Sequence, residues 1–341
     1  MTNGSTPGLV CGHHHLYSAL ARGMPAPPSS PTNFQQILEQ VWWRLDTALD
    51  LDMLEWSAKL GALEALEAGC TAIVDHHESP NAIEGSLDVI ADACAEVGVR
   101  VVCAYGVTDR HGSEGAAAGL AENERFLAAG GRGMVGIHAA FTCDFGTIDA
   151  AVDLAERFGV GVHVHVAEGS ADAGGGAELA RRSKEDWLLV HGVHLPDGIE
   201  IKGTLAHNPR SNMNNAVGYA HPSRFDCDIV LGTDGIGADM LDEFRLAYVA
   251  GRAVDVETSP DTAWSWLENG WKLVPEAKSD TVTWSYEHME PWRLAFTTNV
   301  QARDVTIDGT KALIDGVAAH VDAAEVRAKA AEQAKRLFAK L

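Results

Sequence analysis

The chain has 341 residues, 46% hydrophobic and 22% charged, enough for one large core with an appendage. Its 26 Lys and Arg against 48 Asp and Glu give a net charge of -22, a surface that repels phosphate backbones and anionic lipid, so neither nucleic acid nor a membrane is an expected partner. The six cysteines form no CxxC pair, the start of the chain lacks the basic and long apolar regions of a signal peptide, and no apolar run reaches spanning length; together these predict free thiols and a cytoplasmic protein.

Taken in order, the chain repeats one coarse unit: a short apolar strand, a polar residue at its end, then a helical stretch. Leu9 to His15 is the first expected strand, followed by a Pro-rich loop and an amphipathic segment holding Trp42 and Trp43. A helix over Leu54 to Ala68 stops at Gly69. The second strand, Thr71 to Asp75, ends in His76 and His77, and a helix over Ser86 to Val97 stops at Gly98. Arg100 to Tyr105 is the third strand, and a helix over Ala116 to Ala129 follows it. The fourth, Met134 to Ala139, carries His138; a helix over Ile148 to Phe158 leads to the fifth, Val160 to Val166, with His163, His165 and, just beyond, Glu168. The sixth, Trp187 to Val190, ends at His191. The seventh, Gly203 to Ala206, ends at His207, and the eighth, Ile229 to Gly232, ends before Asp234.

Eight strands alternating with helices predict a parallel (β/α)8 barrel, with a doubly wound open sheet as the competitor. The polar strand ends favour the barrel, because there they converge on one mouth, whereas in an open sheet they line an edge. Beyond Asp234 the pattern gives a helix over Asp239 to Val254, a tryptophan-rich stretch, and short strands at Thr281 to Tyr286, Val305 to Ile307 and Lys311 to Ile314. A final helix is capped by Asp322, with Val326, Ala330, Leu337 and Leu341 as its apolar stripe. The expected division is a hydrolase barrel over 1–275 and a layer of short strands and helix over 276–341.

The triplet His13-His14-His15 carries the first chemical signal. On an extended strand His13 and His15 share a face and can grip one metal ion, while His14 points away. A leftover affinity tag is the bland alternative, but the triplet continues into the apolar Leu16-Tyr17 segment.

With PGLVCGHHH, HVHVAE, HGVHLP, HNPRSN and LGTDG in that order, the chain resembles the amidohydrolase superfamily. Within it, the resemblance is to the metal-dependent aminohydrolase and chlorohydrolase branch. The wording GHHHLYSALARG, WWRLD and DHHESPNAIEGSLD is closest to SsnA-type aminohydrolases. The resemblance covers about Pro7 to Val254. It implies one divalent metal held by His13, His15, His165 and Asp234, Zn first and Fe as the alternative. It further implies Asp234 as acceptor of the water proton, Glu168 as proton shuttle and His191 as the histidine steadying the attacking oxygen. A second metal is not expected, because the fourth strand ends in IHAAFT, without the lysine of binuclear branches. For substrate contacts the candidates are His138, Arg110, Arg210, Asn212 and Trp43.

Relatives carry a small β-sandwich built from strands on both sides of the barrel. Here only twelve residues precede His13, so a reduced accessory β element is expected. The implied activity is hydrolysis of a non-peptide C–N bond, foremost deamination of an amino-substituted purine, pyrimidine, pteridine or triazine. Alternatives are another leaving group (chloride, alkylamine or ring amide) and a non-catalytic homologue that binds metal or ligand. A homo-oligomer is expected from the resemblance alone.

Overall fold

A computed structural model describes residues 4–341. The strands are β1 (Ser5–Thr6), β2 (Leu9–His14), β3 (Cys70–Asp75), β4 (Arg100–Val102), β5 (Gly106–Val107), β6 (Val135–Ala139), β7 (Val162–Val166), β8 (Leu188–His191), β9 (Thr204–His207) and β10 (Asp228–Leu231). Four more follow: β11 (Thr281–Trp284), β12 (Ala302–Ile307), β13 (Thr310–Ile314) and β14 (Val317–Ala318). The strands from β2 to β10 are parallel and form the (β/α)8 barrel, with β4 and β5 as two pieces of its third strand. A Cys103–Gly133 bridge ties that strand to the fourth. At the last seam, Thr233 and Asp234 N–H groups donate to the His13 carbonyl at 3.0 and 3.1 Å. The approach is close enough that a Cβ on Gly232 would lie 2.7 Å from that carbonyl oxygen.

Each barrel strand is apolar on both faces, as expected where helices cover the outside and side chains fill the inside. Val10, Ala72, Val74, Val102, Leu188, Val190, Ala206 and Val230 pack together inside, joined by Val274 and Ala277. Their neighbours in sequence, among them Cys11, Ile73, Leu189, Leu205 and Leu231, pack outward. Beyond a shift between Leu9 and Val10, two further register irregularities interrupt this alternation. Between Cys11 and His14 one extra residue stands opposite Ile73–Asp75, and another is inserted between Ile137 and Ala139. Such bulges re-aim the side chains beyond them.

The second sheet is antiparallel in the order β1-β11-β12-β13-β14. The expected boundary at 275 does not isolate it, because Ser5 and Thr6 pair with Thr283 and Val282. Trp284 is fully buried there and donates from Nε1 to Thr6 Oγ1 at 2.9 Å. The final helix, Ala323–Phe338, has Asp322 accepting from Ala324 and Glu325 N–H groups. It buries Val326, Ala330 and Leu337 and lies along the helix Leu51–Glu67. None of the helices among the described residues is long and apolar enough to cross a membrane.

Candidate metal centre and its cavity

The bulge in β2 turns His13 and His15 to the barrel interior, although Val10 already faces inward. His14 goes the other way, with Nδ1 2.7 Å from Thr233 Oγ1. From β7, His163 and His165 point in because Val162, Val164 and Val166 point out. His191 and Asp234 arrive by a different route. Both have left-handed backbone, φ 72° and 66°, a conformation that costs about 1–3 kcal/mol in a non-glycine residue and clusters at functional sites.

These side chains meet at one carboxylate oxygen. Asp234 Oδ1 lies 2.9 Å from His13 Nε2, 3.1 Å from His15 Nε2 and 3.8 Å from His191 Nε2. His165 Nε2 is 3.3 Å from His15 Nε2. His13, His165, His191 and Asp234 each offer one ligand atom, all within 4.8 Å of one another.

The outer nitrogens decide which way each ring is protonated. His15 Nδ1 donates to the His76 carbonyl at 2.5 Å, and His165 Nδ1 to the His138 carbonyl at 2.7 Å. A carbonyl only accepts, so in a neutral ring the proton sits on Nδ1 and a lone pair on Nε2. Two lone pairs thus face each other at 3.3 Å beside a carboxylate. His191 Nδ1 is 2.8 Å from Asn212 Oδ1, leaving its buried Nε2 without a protein partner. A cation among these atoms satisfies all of them.

The surroundings enforce the required charge states. Burial, opposed by Asp234, holds His13 neutral well below its usual range, and burial aided by His15 does the same to His165. Burial would raise Asp234, yet His191, His13 and His15 hold it well below the carboxylate range. Burial lowers His15, but Asp234 more than reverses this, so the spot favours positive charge. Glu168 stands 3.5 Å from His191 Nε2 and accepts from Asn215 Nδ2 at 3.3 Å. Burial, resisted by His191 and reinforced by Asp234, pushes its carboxyl up to about 7.

Above these groups opens a cavity of about 330 Å³, lined by His15, His165, Glu168 and Asp234 on its floor. Phe34, Leu38, Trp42, Trp43, Phe141 and Ile236 supply apolar walls. His138 lines it, with Nδ1 2.7 Å from Thr142 Oγ1, and Trp43 stands edge-on to it at 6.4 Å.

Two expected substrate contacts lie outside the cavity lining, and a third, Arg210, lines it with its guanidinium already engaged. Arg110 does not line the cavity; its guanidinium is buried between Asp46, at 3.0 Å, and Glu78, and lies 4.5 Å over the Trp43 ring. Asn212 also lies behind the wall, where it orients His191. Arg210 reaches the cavity edge, but its Nε donates to Glu243 at 2.8 Å and its terminal nitrogen to the Thr233 and Gly235 carbonyls. His207, at the end of the seventh expected strand, shares the outward parity of Leu205. It packs edge-on to Tyr219 and Trp266. Sequence reasoning missed Glu78, which lines the cavity 3.9 Å from His138, and Ser211, whose hydroxyl donates to Asp234 Oδ2. Glu78 directly follows His76 and His77 at the end of the second strand, whereas it is the family resemblance that singles out Glu168.

The 5'-deoxyadenosine deaminase of Methanopyrus kandleri is 30% identical over 273 residues, 71% of this chain and 60% of that enzyme. A 5-methylthioadenosine/S-adenosylhomocysteine deaminase of Shouchella clausii is 27% identical over 311 residues, 81% of this chain and 69% of that enzyme. The chain thus spans about 60–69% of the length of these curated relatives. Among solved structures, a zinc-bound adenosine deaminase from Xanthomonas campestris superposes with TM-score 0.83 at 20% identity, covering 98% of this chain and 86% of that one. The zinc complex of the atrazine chlorohydrolase TrzN from Arthrobacter aurescens gives 0.80 at 18% identity, covering 97% and 88%. At such identities these two speak for the fold alone. Residues 5–268 match the model of the amidohydrolase family, and the chain belongs to that family.

Proposed function

We propose that this chain is a metal-dependent aminohydrolase that replaces the amino group of a nitrogen heterocycle with oxygen, a purine nucleoside lacking a 5'-hydroxyl being the first substrate to test. The observation that carries it is Asp234 Oδ1 ringed by histidine Nε2 atoms, with Glu168 alongside. The named activities of the two deaminase relatives support the substrate class.

His13, His15, His165 and Asp234 would hold the ion. Donors about 2.0–2.1 Å from a tetrahedral Zn lie about 3.3 Å apart. The 2.9, 3.1 and 3.3 Å separations here approach that edge length, while His191, at 3.8 Å from Asp234, is set back. A bound Zn supplies Lewis acidity, lowering the pKa of water from 15.7 to about 7.

The protein's own groups do the rest. Asp234, held ionised, accepts the proton of the attacking water. Glu168, near neutrality, carries a proton to the ring nitrogen and then to the departing amine. His191, fixed by Asn212, hydrogen-bonds the attacking oxygen. The apolar walls position a planar ring and keep bulk water from the site. Purified protein loaded with Zn should release ammonia from at least one of 5'-deoxyadenosine, 5'-methylthioadenosine, adenosine and aminated pteridines or triazines. Stoichiometric Zn with no ammonia from any of them would overturn the deaminase reading.

A further inference from the structure

Behind His13 lies a chain of imidazoles that metal holding alone does not require. His13 Nδ1 and His163 Nε2 are 2.8 Å apart, and the rings stand at 79° with centroids 5.0 Å apart. His163 then meets His76 in nearly the same arrangement, 82° and 4.9 Å. His163 Nδ1 and His76 Nδ1 are both buried without a partner. His76 is held from its far side, with Nε2 3.2 Å from the Ile137 carbonyl. The ring fits because residue 106 is glycine: a Cβ there would come within 2.4 Å of His76 Cε1.

Resting on the metal-dependent function proposed for this site, we propose that His163 is a positioning residue that sets the tautomer of His13, and that metal loading switches the two rings together. The Ile137 carbonyl can only accept, so neutral His76 carries its proton on Nε2 and offers a lone pair at Nδ1. Without a cation, His13 Nε2–H donates to Asp234 Oδ1 and its Nδ1 accepts from His163 Nε2–H. With a cation at His13 Nε2, the order reverses. His13 Nδ1–H donates to His163 Nε2, and the His163 proton moves to Nδ1. Each ring keeps one proton throughout, so the charge of the pair is unchanged. His163 Nε2, 2.8 Å away, gives the metal-holding tautomer of His13 a ready acceptor. Outer partners of metal-bound histidines typically contribute about 10–100-fold in affinity.

Nitrogen-15 NMR of histidine-labelled full-length protein, with and without Zn, reads the switch directly. His163 should change from protonated Nε2 to protonated Nδ1 on loading. By chelator competition, His163→Phe should bind Zn about 10–100-fold more weakly, and His163→Gln, whose amide oxygen can accept from His13, should recover most of that loss. Zn bound with His163 still protonated at Nε2, or His163→Phe binding as tightly as the parent, would overturn the inference while leaving the metal reading intact. A parent chain that binds no Zn would remove both.

Discussion

Arg110 tests whether structure or pattern names the cavity contacts. Replacing it with methionine keeps an unbranched stem but removes the buried cation that is shared by Asp46 and Glu78 and lies over Trp43. Both carboxylates are buried, at 1% and 3% exposure, and removing one member of a buried ion pair costs about 3–5 kcal/mol. Burial and the neighbouring Glu78 hold the Asp46 carboxyl well above its usual range, with Arg110 opposing them. At pH 6 Asp46 therefore carries a proton, and the loss should sit near the lower figure. As pH rises through the raised Asp46 value, the parent ionises Asp46 beside a cation that the variant lacks, and the loss should grow. Urea unfolding of parent and Arg110→Met at pH 6 and pH 9 measures both, with KM for the best substrate recorded on the folded variant. Stability within about 0.5 kcal/mol of the parent, together with a KM raised tenfold or more, would refute this reasoning and restore Arg110 as a substrate contact.

Glu168→Gln should retain bound metal and lose about 10²–10⁴-fold in kcat, read by metal analysis beside steady-state kinetics; full activity would remove Glu168 from proton transfer. Asn212→Ala should lower kcat about 10–100-fold with a smaller change in KM, since it frees the His191 ring without touching the cavity; unchanged kcat would show that the ring needs no such anchor. Burial, opposed by the Leu16 N–H, pushes Asp75 up to about 7 from 3.8. A raised carboxyl stabilises the fold fully below its unfolded value, and that contribution is lost as pH climbs toward 7. Between pH 4 and 7, Asp75→Asn should thus gain stability relative to the parent, by at most about 1.4 kcal/mol per pH unit in unfolding titrations; parallel curves would place the Asp75 value near that of a free carboxylate.

The helix Ser86–Val97 coincides with its sequence reading because left-handed glycines stop both ends, at Gly85 and Gly98. The barrel strands fall within a residue or two of expectation because short apolar runs between glycines and helices admit few other places for a parallel strand. The third strand is the exception: β4 ends at Val102, inside the expected run Arg100 to Tyr105, and β5 resumes only beyond it at Gly106.

The sequence by itself determined that barrel strands alternate with helices and that histidines and acids gather at their carboxyl ends, since apolar periodicity and strand-end chemistry are local properties. Only the tertiary structure decided which of these residues share the interior. One residue inserted between Cys11 and His14 sends His13 and His15 inward, a left-handed turn brings His191 after them, and unbroken alternation leaves His207 outside. The physical reason is that a strand reverses face at every residue, so a single bulge or positive φ, invisible in composition or spacing, exchanges a metal ligand for a core side chain.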